Sequence, residues 1–147
     1  MKQIVILLAL LGSYFFSCEE EEYFDVLTFA QCENMLTDSL AIRSNLVGTW
    51  TWTERYCPCC QDSKPEKADK KVTATFNANG TTSIEENGTV IGEGEWTLQK
   101  TYIGFSLVVN NQPAVPYLRG YLSICKAFLL ADESPVDGCK HLFKKIE

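Results

Sequence analysis

The chain has 147 residues and a formal net charge of −6, and 22% of its residues are charged. Its 13 lysine and arginine residues are outnumbered by 19 aspartate and glutamate residues and form no basic stripe. This balance argues against a nucleic-acid-binding protein, because such proteins need clustered cations to neutralise phosphates. The length suits one hydrophobic core rather than two.

Residues 1–17 have the features of an export signal. Lys2 supplies a short positive region, and residues 4–16 are almost wholly apolar but too few to span a bilayer. Cys18 directly follows a small residue, an arrangement that resembles the lipobox of bacterial lipoproteins in its relaxed Bacteroidetes form. The resemblance implies cleavage before Cys18 and acylation of its thiol. An ordinary cleaved signal peptide with an incidental cysteine is the alternative.

Residues 18–45 are predicted to form a lipidated tether and an N-terminal cap. The four glutamates at 19–22 repel one another and keep the chain extended. In this position they also resemble the acidic signal that sends Bacteroidetes lipoproteins to the cell surface. We therefore expect a domain anchored to the outer membrane by lipid and facing the outside. A plain spacer and a periplasm-facing domain are the alternatives.

Further along this segment, apolar residues recur at roughly helical intervals, which predicts a short helix or an irregular cap. These residues are Phe24, Leu27, Ala30, Leu36 and Leu40.

Residues 46–147 have the period-two pattern of β-strands. The stretch 48–56 alternates threonines with aromatic residues, which predicts a half-buried strand with Trp50, Trp52 and Tyr56 on its inner face. Turn signals, the strongest at Asn87-Gly88, separate the later strands. The predicted later strands are 71–76, 81–86, 89–98, 102–109, 114–125, 127–131 and 139–146, with a polar loop at 58–69. About eight short strands without alternating helices predict an all-β antiparallel barrel or sandwich.

The cysteines that follow Cys18 are Cys32, Cys57, Cys59, Cys60, Cys125 and Cys139. An even number in an exported domain predicts up to three disulfides. The sequence does not select one full set of pairings. We expect Cys125 to pair with Cys139, since the two bracket a strand and a loop. Cys59 and Cys60 are adjacent and are not expected to join each other.

Several stretches resemble the small lipocalin-like domains of Bacteroidetes lipoproteins. They are Leu46-Val47-Gly48-Thr49-Trp50-Thr51-Trp52, Thr75-Phe76-Asn77-Ala78-Asn79-Gly80-Thr81, Gly92-Glu93-Gly94-Glu95-Trp96-Thr97-Leu98 and Leu142-Phe143-Lys144-Lys145. The resemblance covers about residues 46–147 and implies an eight-stranded up-and-down barrel that holds a small apolar ligand. The candidate ligand-lining residues are Trp50, Trp52, Tyr56, Phe76 and Trp96. A role as packed core residues is the alternative for the same set.

The tetrad Cys57-Pro58-Cys59-Cys60 has the C-x-x-C spacing of dithiol redox motifs. It follows a strand, however, whereas those motifs place the first thiol at a helix N-terminus, where the dipole lowers its pKa. His141 adds a further donor for a soft metal, but no second C-x-x-C supports a metal site. We interpret the tetrad as structural and His141 as a strand surface residue.

Catalysis has little support in the sequence. One histidine and no Gly-x-Ser-x-Gly argue against a nucleophilic triad. Glu93 and Glu95 share a strand face and are interpreted as solvated side chains opposite Trp96. No cofactor and no metal are predicted.

We therefore expect a non-enzymatic lipoprotein that binds a small hydrophobic molecule in the open end of its barrel. The alternative is a structural or interaction lipoprotein with a solid core that contacts another envelope protein. A thiol redox or metal protein is a third hypothesis, and it requires free thiols.

Overall fold

The computed structural model describes residues 25–60, 63–112 and 116–146, apart from the side chains at 111–112. The predicted export signal, Cys18, the acidic run and Phe24 lie outside these ranges. Within them, no helix has the length and the apolar character needed to cross a bilayer.

The described chain contains one α-helix followed by β-strands. They are α1 (Ser39–Leu46), β1 (Gly48–Tyr56), β2 (Glu66–Lys67), β3 (Val72–Phe76), β4 (Thr81–Glu86), β5 (Thr89–Thr101), β6 (Gly104–Gln112), β7 (Tyr121–Cys125), β8 (Phe128–Asp132) and β9 (Lys140–Lys145). Short 3-10 turns occupy Thr28–Gln31, Pro116–Leu118 and Ser134–Val136.

Eight of the strands form a closed antiparallel barrel. From β3 to β9 each strand pairs with the next, and β1 pairs with both β3 and β9, which closes the ring. The predicted up-and-down barrel is therefore confirmed. The short β2 lies inside the polar loop predicted at 58–69. Among the described strands, it pairs with the end of β1. The predicted strand at 114–125 is wrong at 116–118, where a 3-10 turn precedes β7; residues 114 and 115 lie outside the described ranges.

The helix α1 closes one end of the barrel. Asp38 begins it by accepting hydrogen bonds from the backbone N–H groups of Leu40 and Ala41 at 3.0 and 2.9 Å. Ile42 and Leu46 then enter the barrel core, and the indole Nε1 of Trp50 donates to the Leu46 carbonyl at 2.8 Å. This end of the barrel is filled by packed side chains.

An irregularity in β1 changes which side chains face inward. The β1–β9 register pairs Trp52 with Phe143 and then Glu54 with Leu142, so one strand has an extra residue between these pairs. Trp52 therefore faces the barrel core, whereas Glu54 faces outward. Tyr56 follows Glu54 and packs against the outer cluster of apolar residues. Its predicted position on the same face as the two tryptophans is wrong, because strict alternation does not continue through a bulge.

The segment before α1 covers the outside of the barrel. Its buried residues join outward-facing residues of β7, β8 and β9 in a second apolar cluster: Val26, Phe29, Cys32, Cys125, Phe128, Leu130 and Leu142. A disulfide joins Cys32 to Cys125. The backbone N–H of Val26 donates to Oε2 of the buried Glu54 at 3.0 Å. The segment is thus held by a covalent bond, a hydrogen bond and apolar packing.

The predicted short helix or irregular cap is confirmed by α1 and the 3-10 turn before it, but the helical spacing does not identify the residues that this segment buries. Leu27 is exposed and Leu40 is 75% exposed, whereas Val26, Phe29 and Ile42 are buried. The chain forms a 3-10 turn and irregular stretches before α1, so a single helical period does not describe which residues it buries.

Candidate functional site

The end of the barrel away from α1 carries the candidate site. It is formed where β1 ends, β9 begins and β4 ends, and the 3-10 turn Pro116–Leu118 lies across it. We call this end the barrel mouth and define it by Trp52, Arg55, Lys70, Glu86, Tyr117 and His141. Leu118 is buried in the barrel core, which holds the turn in place.

Three rings meet at the barrel mouth. The ring centroid of Tyr117 lies 4.9 Å from that of Trp52 and 5.7 Å from that of His141. Trp52 and His141 are 5.8 Å apart. These separations lie within the range at which aromatic rings attract one another. Trp52 is further fixed because its Nε1 donates to the Glu54 carbonyl at 2.7 Å.

His141 is buried with an unsatisfied polar atom. His141 is 9% exposed, and its Nδ1 has no hydrogen-bond partner among the described residues. Burial, with a smaller effect from the positive charge of Arg55, lowers the pKa of His141 to about 4. The imidazole is therefore neutral at physiological pH. The interpretation of His141 as a strand surface residue is wrong, since residue 141 shares the inward face of β9 with Phe143.

The charged groups around the barrel mouth pair with one another. Tyr117 donates its hydroxyl to Glu86 at 3.2 Å, and Lys70 Nζ lies 3.0 Å from the same carboxylate. Burial, and then the negative charge of Glu86, raises the pKa of the Tyr117 hydroxyl. Arg55 forms an ion pair with Glu66 at 2.6 Å. The barrel mouth therefore combines an apolar, aromatic interior with a rim of paired charges.

Three of the five sequence-predicted lining residues pack at the closed end instead. Trp50, Phe76 and Trp96 are fully buried there. Trp96 contacts Phe76 edge-on at 5.9 Å and donates its Nε1 to the Asn77 carbonyl at 3.2 Å. Arg43 of α1 lies 4.8 Å from the Trp96 ring. Their surroundings are those of packed core residues.

Of the predicted lining set, Trp52 alone reaches the barrel mouth, since Tyr56 lies on the outer face. Sequence patterns did not identify Tyr117, which lies in a turn without periodicity. They did contain a signal for His141, because residues 141 and 143 alternate with outward-facing Leu142.

The six cysteines in the described ranges form two disulfides, Cys32–Cys125 and Cys57–Cys139. The expected pairing of Cys125 with Cys139 is wrong. Cys125 ends β7 beside the start of β8, whereas Cys139 precedes β9 at the barrel mouth, so the two lie at opposite ends of the barrel. Cys57 directly follows β1 at the barrel mouth, next to the start of β9.

Cys59 and Cys60 are exposed free thiols. Their Sγ atoms are 3.9 Å apart and not bonded, as the adjacency of the two residues predicts. A hydrogen bond with Cys60 raises the pKa of the Cys59 thiol. In the described part of the chain, no three His, Cys, Asp or Glu side chains are arranged to hold a metal ion.

A second concavity lies on the outer surface. This cleft of about 270 Å³ runs between the outer faces of β6 and β7 and the turn Ser134–Val136, and it is lined in part by Ser106, Tyr121 and Val136. This cleft is open to solvent. The buried polar atom without a partner among the described residues, Nδ1 of His141, lies at the barrel mouth and not in the cleft. The barrel mouth is therefore the stronger candidate site.

Comparison of the chain with protein-family models, with curated proteins and with solved structures finds no match.

Proposed function

We propose that the protein is a surface-exposed lipoprotein of the Bacteroidetes lipocalin-like type that binds a small hydrophobic molecule at its barrel mouth. The single observation that carries the binding proposal is Nδ1 of His141, which is buried between the rings of Trp52 and Tyr117 and has no hydrogen-bond partner in the part of the chain that the structure describes. A buried polar atom without a partner costs about 1–3 kcal/mol. A ligand that supplies the missing hydrogen bond recovers that free energy on binding.

The surroundings of His141 indicate the chemistry of the ligand. Trp52 and Tyr117 offer ring faces and edges, which favour a flat apolar molecule. Arg55 and Lys70 are each paired with a glutamate, so the rim offers neither an unpaired cation nor an unpaired anion among these groups. The best-fitting ligand is therefore uncharged and largely aromatic, with one hydrogen-bonding group directed at His141.

Tyr117 is the side chain that such a ligand displaces. It lies on a short turn rather than on a strand of the barrel, and it contacts both other rings. Movement of this one side chain uncovers Trp52 and His141 while the strand ladder stays intact. The hydrogen bond from Tyr117 to Glu86 is part-buried, and at 3.2 Å it is long for a bond between two oxygen atoms.

A titration with the fluorescent probe N-phenyl-1-naphthylamine tests the binding proposal. The probe is uncharged and aromatic, and its emission increases when it leaves water. We expect saturable binding that weakens about tenfold in Trp52→Leu, a loss of about 1.4 kcal/mol. Tyr102→Leu is the matched aromatic control, because Tyr102 is 90% exposed at the turn between β5 and β6. No saturable binding, or equal weakening in the control, rejects the proposal.

The second candidate function is that of a structural or interaction lipoprotein with a solid core. The packing of Trp50, Phe76 and Trp96 favours it, because these large side chains fill the closed end of the barrel. This alternative predicts no probe binding at the barrel mouth. The same titration therefore separates the two functions.

The anchor is proposed from the sequence and is tested separately. In bacterial cells that express the protein, Cys18→Ala should move it from the membrane pellet to the soluble fraction. Protease added to intact cells should degrade the wild-type protein if the domain faces outward. Membrane attachment of the Cys18→Ala variant, or protection of the wild type from protease, contradicts the corresponding part of the proposal.

A further inference from the structure

The tetrad Cys57-Pro58-Cys59-Cys60 is folded into a tight turn. The backbone N–H of Cys60 donates to the Cys57 carbonyl at 3.1 Å, which closes a four-residue turn. Such turns bring their first and fourth Cα atoms within about 7 Å, close to the span of a disulfide. Pro58 occupies the second position, where its fixed φ favours the turn. Cys57 and Cys60 are thus positioned for a disulfide that they do not form in this structure.

The turn places free thiols beside an existing disulfide. Cys57 is bonded to Cys139, and Cys59 and Cys60 are exposed and free. A thiolate near a disulfide sulfur can attack it, and the pair then rearranges through a new bond. Exposure to solvent matters here, because the Cys60 thiol must lose its proton before it attacks. The attacking thiol of Cys60 and the attacked sulfur of Cys57 therefore lie in one turn. The sulfur that would leave belongs to Cys139, the disulfide partner of Cys57.

We propose that this turn is an internal thiol–disulfide exchange site. Cys60 gives its proton to solvent, and its thiolate attacks Sγ of Cys57. The Cys57–Cys60 bond forms, the Cys57–Cys139 bond breaks, and Cys139 leaves as a thiolate that takes up a proton. One disulfide and two thiols exist before and after the step, so it needs neither an oxidant nor a reductant.

The exchange alters the covalent closure of the barrel. Cys57 directly follows β1 and Cys139 directly precedes β9, so their bond links the two strands that close the ring. After exchange no covalent bond links β1 to β9 at the barrel mouth, and the seam there is held by the β1–β9 hydrogen bonds and the ring contacts of Trp52, His141 and Tyr117. His141 is two residues from Cys139, so release of the bond loosens the strand end that carries it. The remote Cys32–Cys125 bond is not affected.

Peptide mass mapping tests the proposal on the full-length protein. Samples are incubated at about pH 8.5, where a thiolate forms, or at about pH 4, where it does not, and are then alkylated and digested with trypsin without reduction. In the starting state, peptide 56–67 is linked to peptide 127–140 and carries both alkyl groups. After exchange the two peptides are separate, each carries one alkyl group, and peptide 56–67 contains an internal disulfide.

We expect the separated form to appear at the higher pH, with a rate that does not depend on protein concentration. Cys60→Ser should abolish it, and the matched variant Cys59→Ser should retain it. Both side chains are exposed, so neither substitution removes a core contact. Three results overturn the proposal: the linked form alone at both pH values, a rate that rises with protein concentration, or equal behaviour of the two variants.

Discussion

Arg55 and His141 are direct partners across the β1–β9 ladder, yet their side chains have opposite environments. The guanidinium of Arg55 lies at the rim and pairs with Glu66, whereas the imidazole of His141 is buried beneath Tyr117. A buried imidazole next to a cation stays neutral, because both burial and the positive charge oppose protonation. The barrel mouth therefore holds a neutral imidazole beneath Tyr117.

His141 is predicted to make the protein less stable in mild acid. Its pKa is about 4 in the folded protein and about 6.5 in an unfolded chain. Between these values the unfolded chain binds a proton that the folded protein does not, so the free energy of unfolding falls as the pH falls. The loss is at most about 3 kcal/mol and is complete near pH 4; above about pH 6.5 the histidine makes no contribution. Urea unfolding at several pH values measures it.

His141→Phe should remove this part of the pH dependence, because the chain contains one histidine. The variant should also be at least as stable as the wild type at neutral pH, since it lacks the unsatisfied Nδ1. Equal slopes for the two proteins between about pH 4 and 6.5 would contradict the assignment.

Glu54 is predicted to hold the N-terminal segment against the barrel. It is 3% exposed, accepts the Val26 N–H and forms an ion pair with Lys67. Glu54→Ala leaves the buried N–H of Val26 without its acceptor, so we expect a loss of about 1–3 kcal/mol in the free energy of unfolding. Glu54→Gln keeps an acceptor oxygen and should lose less. Urea unfolding followed by tryptophan fluorescence gives both values.

Glu95 supplies the control for this comparison, since it is exposed on the outer face of β5. Glu95→Ala should stay within about 0.5 kcal/mol of the wild type. If Glu54→Ala lowers the free energy of unfolding as little as Glu95→Ala does, the proposed role of the Glu54 carboxylate is wrong.

Gly120 and Gly88 form a matched pair for separating backbone strain from steric overlap. Their φ angles are +85° and +82°, so alanine is strained at both positions. A Cβ at Gly120 would lie 2.2 Å from the Asp132 carbonyl oxygen, whereas one at Gly88 meets no atom within 4 Å. We expect Gly88→Ala to cost about 1 kcal/mol and Gly120→Ala about 2–4 kcal/mol. Thermal unfolding of the two variants side by side checks the difference, and similar losses would rule out the overlap.

The Cys32–Cys125 disulfide is predicted to stabilise the fold without contributing to the barrel mouth. It closes a sequence separation of 93 residues, and its removal in a Cys32→Ala/Cys125→Ala variant should cost about 2–5 kcal/mol. N-phenyl-1-naphthylamine binding should be retained below the unfolding transition, because Cys125 lies at the other end of the barrel. A loss of probe binding in a variant that remains folded would contradict this separation of roles.

Most of the strands could be predicted from the sequence, because the alternation of side chains along a strand is a local property. Alternating side chains at 72–76 predict which residues face inward, and Val72, Ala74 and Phe76 are buried as expected. Asn87 and Gly88 occupy the turn between β4 and β5 with positive φ, as their residue types predict. Glu93 and Glu95 are exposed, whereas Trp96 is buried.

Few residues of the candidate site could be predicted from the sequence. Trp52 was identified, but Tyr117 and His141 meet it only because the barrel closes and a turn crosses its end. Tyr56 was misplaced by one extra residue in β1, since a bulge exchanges the two faces of a strand for every residue after it. The disulfide partners were misjudged for a related reason: closeness along the chain does not show which end of the barrel a cysteine occupies.

By itself, then, the sequence determined the number and order of the main strands and the inward orientation of Trp50, Phe76 and Trp96. Periodicity and turn chemistry specify these features within a few residues of chain. Only the tertiary structure decided that β9 meets β1, that Cys57 bonds to Cys139, and that a neutral histidine lies between two aromatic rings. Each of these depends on contacts between residues far apart in the chain, which are formed when the barrel closes.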